Sequence, residues 1–232
     1  MIFFVTYSMM KKPALVLLLW LLSITGFCQQ ENFVFSNLNE SDGLSDNVVN
    51  CLIRDHKGFF WIGTYNGFSR FDGSNFYSYK IRKGTNSMLN EVVHSLCEDQ
   101  QGRIWGATNG GVFAYNPSTD SFQNFVCKSM DRMTGFTNIC CDRNGDVWAT
   151  GNWTLFKYNR SNQTFEAKLN TTSSKDSLGF YGITKNGLLL DPATGLFWIS
   201  TSSGLMCYDA AQNRVVNAQT NPESALFARH YV

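Results

Sequence analysis

The sequence predicts an all-β fold made of four consecutive copies of one antiparallel unit. Three observations carry this. Short runs rich in aromatic and β-branched residues recur, bounded by Gly, Asn and Asp, which is strand-and-turn punctuation and not helical periodicity. An Asp, a tight turn and a Trp recur at fixed spacing: Asp55 with Trp61, Asp99 with Trp105, Asp142 with Trp148, and Asp191 with Trp198 after one inserted residue. The Trp-to-Trp steps are 44, 43 and 50 residues. Self-similarity at roughly 40–50 residues with about four strands per period is the signature of β-propeller blades.

The elements follow in order. Lys11 and Lys12 precede eleven residues, Ala14 to Ile24, that are apolar except for Ser23. That run is shorter than the roughly 20 residues a membrane span needs. With Gly26-Phe27-Cys28 behind it, it reads as a signal peptide over residues 1–28, cut before Gln29, with Met10 as the expected start. Phe27 before Cys28 argues against lipidation there. Phe33 to Asn39 alternates and is expected to form a lone strand, either completing a distant blade or lying as an extra edge.

The first unit is Val49 to Asp72, with turns at His56-Lys57-Gly58 and Tyr65-Asn66. Counting from each Trp, position +3 is Thr64, Thr108, Gly151 and Thr201, and position +6 is Gly67, Gly111, Thr154 and Gly204. Position +10 is Phe71, Tyr115, Tyr158 and Tyr208. A fourth strand follows in each unit at 75–79, 121–125, 163–167 and 214–217. Recurrence of Trp61, Trp105, Trp148 and Trp198 at one register position is what packing between blades requires. Gly67, Gly111 and Gly204 are expected to serve turn geometry, and Asp55, Asp99 and Asp142 to cap turns.

Gly43-Leu44-Ser45-Asp46-Asn47-Val48-Val49, followed by Asp55, Gly58, Trp61-Ile62-Gly63-Thr64 and Gly67, resembles the two-component regulator propeller repeat. The likeness runs from about Phe33 to Asp209, and the third copy departs from it at Gly151 and Thr154. The resemblance implies the periplasmic sensor portion of a hybrid two-component histidine kinase from a Bacteroidetes-type bacterium. It also implies a ring of about seven blades, of which four are present. It further implies a receptor that is a homodimer and meets the membrane only through a region beyond this chain. Residues 221–232 resemble the approach to a fifth unit, so residues 29–232 are expected to be a partial propeller that does not form a stable monomer by itself.

A four-stranded meander puts its second turn at the same end as the connections between units. Tyr65, Asn66, Asn109, Asn152, Trp153 and Ser202 therefore share an end with the long polar connections, which is the usual place for recognition. Asn152-Trp153 is the most suggestive pair, because an exposed indole stacks on the apolar face of a pyranose while an amide reaches its hydroxyls. An oligosaccharide or another small periplasmic ligand is the expected partner.

Composition excludes little. A net charge of +1 offers no basic surface for nucleic acid. The seven cysteines show no CxxC pair, and Cys51, Cys97 and Cys140 sit in first strands, where they read as small buried hydrophobes with free thiols. His56, His94 and His230 lie in unrelated contexts, and no nucleophile elbow, metalloprotease or phosphate-loop motif is present. No catalytic residue, cofactor or metal is expected. The alternatives to a sensor are a secreted propeller enzyme acting on polysaccharide, a lyase or hydrolase, and a scaffold for protein partners.

Overall fold

The structure, a computed structural model, describes residues 35–82, 86–126, 135–151, 153–170, 183–201 and 204–216. Residues 1–28, the polar connections 128–134 and 171–177, and the expected fifth unit at 221–232 lie outside them. Two units divide the chain, Met1–Asn37 and Leu38–Val232. Of the first, residues 35–37 are described and form no strand.

The second unit contains four sheets of four strands each, every sheet a meander in sequence order. Blade one holds β1 (Val49–Arg54), β2 (Phe60–Thr64), β3 (Gly67–Phe71) and β4 (Phe76–Tyr79). Blade two holds β5 (Val93–Glu98), β6 (Ile104–Thr108), β7 (Gly111–Asn116) and β8 (Ser121–Phe125). Blade three holds β9 (Phe136–Cys141), β10 (Val147–Gly151), β11 (Thr154–Asn159) and β12 (Thr164–Asn170). Blade four holds β13 (Ile183–Leu190), β14 (Leu196–Thr201), β15 (Gly204–Asp209) and β16 (Arg214–Val216). The first strands β1, β5, β9 and β13 run beside one another in succession.

The expected strand Phe33 to Asn39 is not observed over its described part. Residues 35–39 join no sheet. The reason at the boundary is local: Asn39 caps a single 3-10 turn, Glu40–Asp42, its side chain accepting from the Ser41 N–H at 2.8 Å while Asp42 accepts from the Asn39 N–H. Asn and Asp favour such side-chain to backbone bonds over a ladder. The segment that follows lies against blade one, where Ser45 donates its N–H to Ser69 Oγ at 2.9 Å and meets Thr64 Oγ1 at 2.9 Å.

The core lies between blades, and strand alternation decides its composition. Cross-strand partners share a side, and neighbours along a strand oppose one another. Trp61 sits across from Ile53, so these two point one way, while Phe60 and Ile62 point the other. We term the Trp side of each blade its trailing face and the opposite side its leading face. Trp61 and Phe68 on blade one pack with Leu96, Ile104, Phe113 and Tyr115 on blade two. Trp105, Ala107 and Phe125 of blade two pack with Ile139, Val147, Phe156 and Tyr158 of blade three. Trp148 and Leu155 of blade three pack with Phe197, Ile199, Met206 and Tyr208 of blade four. Each of the three indoles also meets the +10 tyrosine of the following blade: Trp61 and Tyr115 at 5.7 Å, Trp105 and Tyr158 at 5.0 Å, Trp148 and Tyr208 at 6.4 Å.

The Asp–turn–Trp repeat is one hydrogen-bonded device. Asp55 accepts from the Lys57 and Phe59 N–H groups through Oδ1 and from Trp61 Nε1 at 2.8 Å through Oδ2. Asp99 and Asp142 do the same with their own turns and with Trp105 and Trp148. In blade four the inserted residue is absorbed by the turn, whose closing bond runs from Asp191 N to Leu196 O. Trp198 keeps its pairing place opposite Leu189 and Cys207, while Asp191 Oδ2 accepts from Thr194 Oγ1 at 2.7 Å. Trp198 stays partly exposed, with Leu189 at 66% and Leu205 at 60% exposure beside it on the same face.

Candidate functional site

The second turns stand at one end of their blades and are built alike. Thr64 Oγ1 donates to Gly67 O at 2.8 Å and accepts from the Asn66 N–H at 3.2 Å. Thr108 does the same with Gly111 O and the Gly110 N–H, and Thr201 Oγ1 donates to Gly204 O at 2.7 Å. Gly67 has φ 102°, and a Cβ there would stand 2.3 Å from Tyr79 O. Gly111 has φ 137°, with 2.4 Å to Phe125 O. Both positions therefore require glycine.

The third copy solves the same turn differently. Gly151 pairs with Thr154, and the left-handed residue moves back one place to Trp153, at φ 62°. Positive φ in a bulky residue is costly and concentrates at functional positions. It leaves the Trp153 side chain 56% exposed. Tyr65 is likewise 59% exposed, with its N–H bonded to Val48 O at 3.0 Å. Asn66 is half-buried and Asn109 exposed, and Asn152 and Ser202 lie outside the described residues.

A second feature of this end was not anticipated from sequence. In each of the first three blades the ladder between first and second strands is broken by a bulge one step below the turn. The unpaired residues are Asn50, His94 and Thr137, each five places before its repeat Asp. A bulge re-aims a side chain, and all three are polar. Asn50 Nδ2 donates to Val93 O of the next blade at 2.9 Å. Thr137 Oγ1 meets Thr150 Oγ1 at 3.3 Å, where buried Asn138 Nδ2 also donates at 2.8 Å. His94, only 9% exposed, holds Asn109 by a 2.7 Å bond between Nε2 and Oδ1. Its Nδ1 is buried without a hydrogen-bond partner among the described residues. The legible signal was the register itself, a polar residue at Asp minus five in successive repeats.

Three clefts lie elsewhere. One of about 470 Å³ opens between the outer strands of blades one and two, around Tyr79, Lys80, Tyr115 and Asp120. Two of about 420 and 360 Å³ lie along the opposite ends of the blades, beside Arg103 and Arg160 and beside Asp142 and Asp191. None includes a residue of the second turns. Among the described residues no cluster of His, Cys, Asp or Glu has metal-binding geometry, and no helix is long and apolar enough to cross a membrane.

Four meander sheets packed face to face in sequence order define a β-propeller. The model of the two-component regulator propeller repeat matches residues 43–66 and 87–110, in the first two blades. The chain is similar to Histidine kinase P4 of Formosa agariphila, 38% identical over 65 residues, which are 28% of this chain and 5% of that one. It is similar in fold to the extracellular domain described as part of a hybrid two component system of B. thetaiotaomicron. That match has a TM-score of 0.58 and 21% identity, covering 80% of this chain and 32% of the other. Virginiamycin B lyase from Staphylococcus aureus is also similar, with a TM-score of 0.52 and 14% identity over 72% of this chain and 54% of the lyase. The chain thus spans a small part of the curated relative and about a third of that extracellular domain. A fold shared with an extracellular domain of a two component system and with a lyase does not by itself decide the chemistry.

Proposed function

We propose that the chain is a ligand-sensing segment of an extracytoplasmic receptor belonging to a hybrid two-component system, and that its ligand is an oligosaccharide. The observation that carries this is the recurrent bulge. Three successive blades spend a ladder bond to turn a polar residue, Asn50, His94 or Thr137, at the end where Tyr65, Asn109 and Trp153 are exposed. Aromatic faces with fixed amides and hydroxyls match a sugar's apolar face and polar rim. In this reading the protein is periplasmic, the chain performs no catalysis, the receptor is a homodimer, and ligand binding alters how its subunits pack and so drives phosphotransfer inside the cell.

The test is binding of a panel of oligosaccharides to the 232-residue chain and to the complete ectodomain, by calorimetry with product analysis of the same samples. A saturable ligand whose affinity falls at least tenfold in Trp153→Ala, with the sugar recovered intact, supports the proposal. Cleaved or eliminated product would favour the enzyme reading, and saturable binding unaffected by Trp153→Ala or Asn109→Ala would move the site off this end.

A further inference from the structure

The sequence register makes Cys97 and Cys140 equivalent, each two places before its repeat Asp, and leaves the first-strand cysteines as separate small hydrophobes. The packing pairs different positions. A trailing face meets a leading face, and these differ by one residue of register. Cys97 lies opposite Trp105 and so points from the trailing face of blade two. Cys141 lies opposite Val147 and points from the leading face of blade three. Their sulfurs are 2.9 Å apart. The same offset operates two residues earlier, where Ser95 Oγ accepts from the Ile139 N–H at 3.2 Å and pins β5 against β9. Just beyond the pair, Gln100 Nε2 donates to Arg143 O at 2.9 Å. The approach of the two thiols is therefore held from both sides. Cys140 points the other way, into the apolar layer with Leu188 and Leu190 of blade four, and has no thiol facing it among the described residues.

We infer that Cys97 and Cys141 are a modification site: they form an interblade disulfide that locks blade two to blade three. The sulfurs need to close by about 0.9 Å to reach bonding distance. Oxidation requires an acceptor, here the disulfide of a dithiol oxidase or of oxidised glutathione. One cysteine thiolate attacks a sulfur of that disulfide and expels a thiolate. The second cysteine thiolate attacks the resulting mixed disulfide and expels the other. Two protons leave the protein thiols, two electrons pass to the acceptor, and the acceptor ends as two thiols. Timing follows from the surroundings. Burial, and then the neighbouring Cys141 thiol, hold the Cys97 thiol well above its usual pKa, so little thiolate exists once the blades have packed. The bridge forms while blades two and three are still coming together.

The presence of the bridge in the cell rests on the extracytoplasmic reading above, since oxidising compartments are where disulfides persist. Two arms separate the two claims. In the first, the reduced 232-residue chain is refolded in a glutathione redox buffer, denatured, alkylated without reductant and digested with trypsin. Cys97 falls in peptide 84–103, and Cys140 and Cys141 fall together in peptide 133–143. The expected result is one linked species, with fragmentation placing the bond on Cys141 and the label on Cys140. Alkylated Cys97 in refolded wild type, or a bond to Cys140, overturns the inference. In the second arm, the exported chain is mapped in the same way. A bridge there supports both claims; free thiols there, with the bridge formed in the first arm, overturn the export reading and leave the pairing standing. In Cys97→Ser, Cys141 is expected to be fully alkylated, and its recovery in another disulfide overturns the specific pairing.

Discussion

Replacing Asp99 by Ala tests whether the repeat Asp is the element that ties each blade's turn to its neighbour interface. Asp99 is 5% exposed and accepts four hydrogen bonds. They come from the Gln101 and Arg103 N–H groups at 2.9 and 3.0 Å, from Trp105 Nε1 at 2.7 Å, and from Arg103 Nε at 2.7 Å. Trp105 is fully buried, so its orphaned N–H costs about 1–3 kcal/mol. The two turn N–H groups resemble a lost cap, worth about 1 kcal/mol, and the partly exposed Arg103 pair adds less than about 1 kcal/mol. The total is about 4 kcal/mol. Asp191→Ala provides the control, because among the described residues that carboxylate bonds within its own exposed turn, to the Ala193 N–H and Thr194 Oγ1; its cost is about 1 kcal/mol. Urea unfolding followed by tryptophan fluorescence, with reductant present throughout, reads both. With a slope of about 2 kcal/mol per M, Asp99→Ala lowers the midpoint by about 2 M and Asp191→Ala by about 0.5 M. Equal shifts in the two variants, or a loss below about 1 kcal/mol in Asp99→Ala, refute the reasoning.

Further expectations concern single positions. Gly67→Ala forces a Cβ against Tyr79 O at φ 102° and is expected to cost more than about 2 kcal/mol in the same assay. Trp153→Gly relieves the left-handed tryptophan and is expected to stabilise the chain by about 0.5–1 kcal/mol while weakening oligosaccharide binding, a divergence that calorimetry and urea melts detect together. Burial raises the Cys51 thiol to about 12, so native alkylation at pH 8 is expected to run about a thousandfold slower than for a free thiol, rising to the free rate in denaturant. Size-exclusion chromatography with light scattering on residues 29–232 is expected to show association, and a sharp monomer peak with a cooperative melt would contradict this.

The strands were legible because the repeat supplies its own controls. β8 falls on the expected 121–125, and the bounds of β4 and β12 move by only a few residues. Four copies in register expose what a single window hides. What failed were features that a linear register does not encode. Phe33 to Asn39 alternates as a strand does, yet at its described end Asn39 satisfies the local N–H groups first. The bulges at Asn50, His94 and Thr137 left no mark beyond a polar residue where the ladder expects an alternating one. The cysteine pair is hidden because the register aligns Cys97 with Cys140, whereas a trailing face meets the next blade one residue out of step, at Cys141. At the candidate site, Tyr65, Asn109 and Trp153 occupy the second turns of their blades, while the His94 tie to Asn109 depends on a side-chain direction that only the bulge sets.

The unlike faces of a blade also give the assembly a polarity. Each of the three described joints has a Trp on one side and an Ile, Val or Phe with a Tyr on the other. Such a contact is heterologous: it cannot be satisfied by two identical faces meeting about a twofold axis, and it propagates in one direction until it closes. A duplicated blade inserted at any joint therefore finds both of its neighbours ready made, so blade number is free to change by unequal recombination without redesign of a single interface. Two copies of the chain meeting through these faces would join head to tail, with the half-covered Trp198 of one against the Phe60 side of the other, and never Trp against Trp.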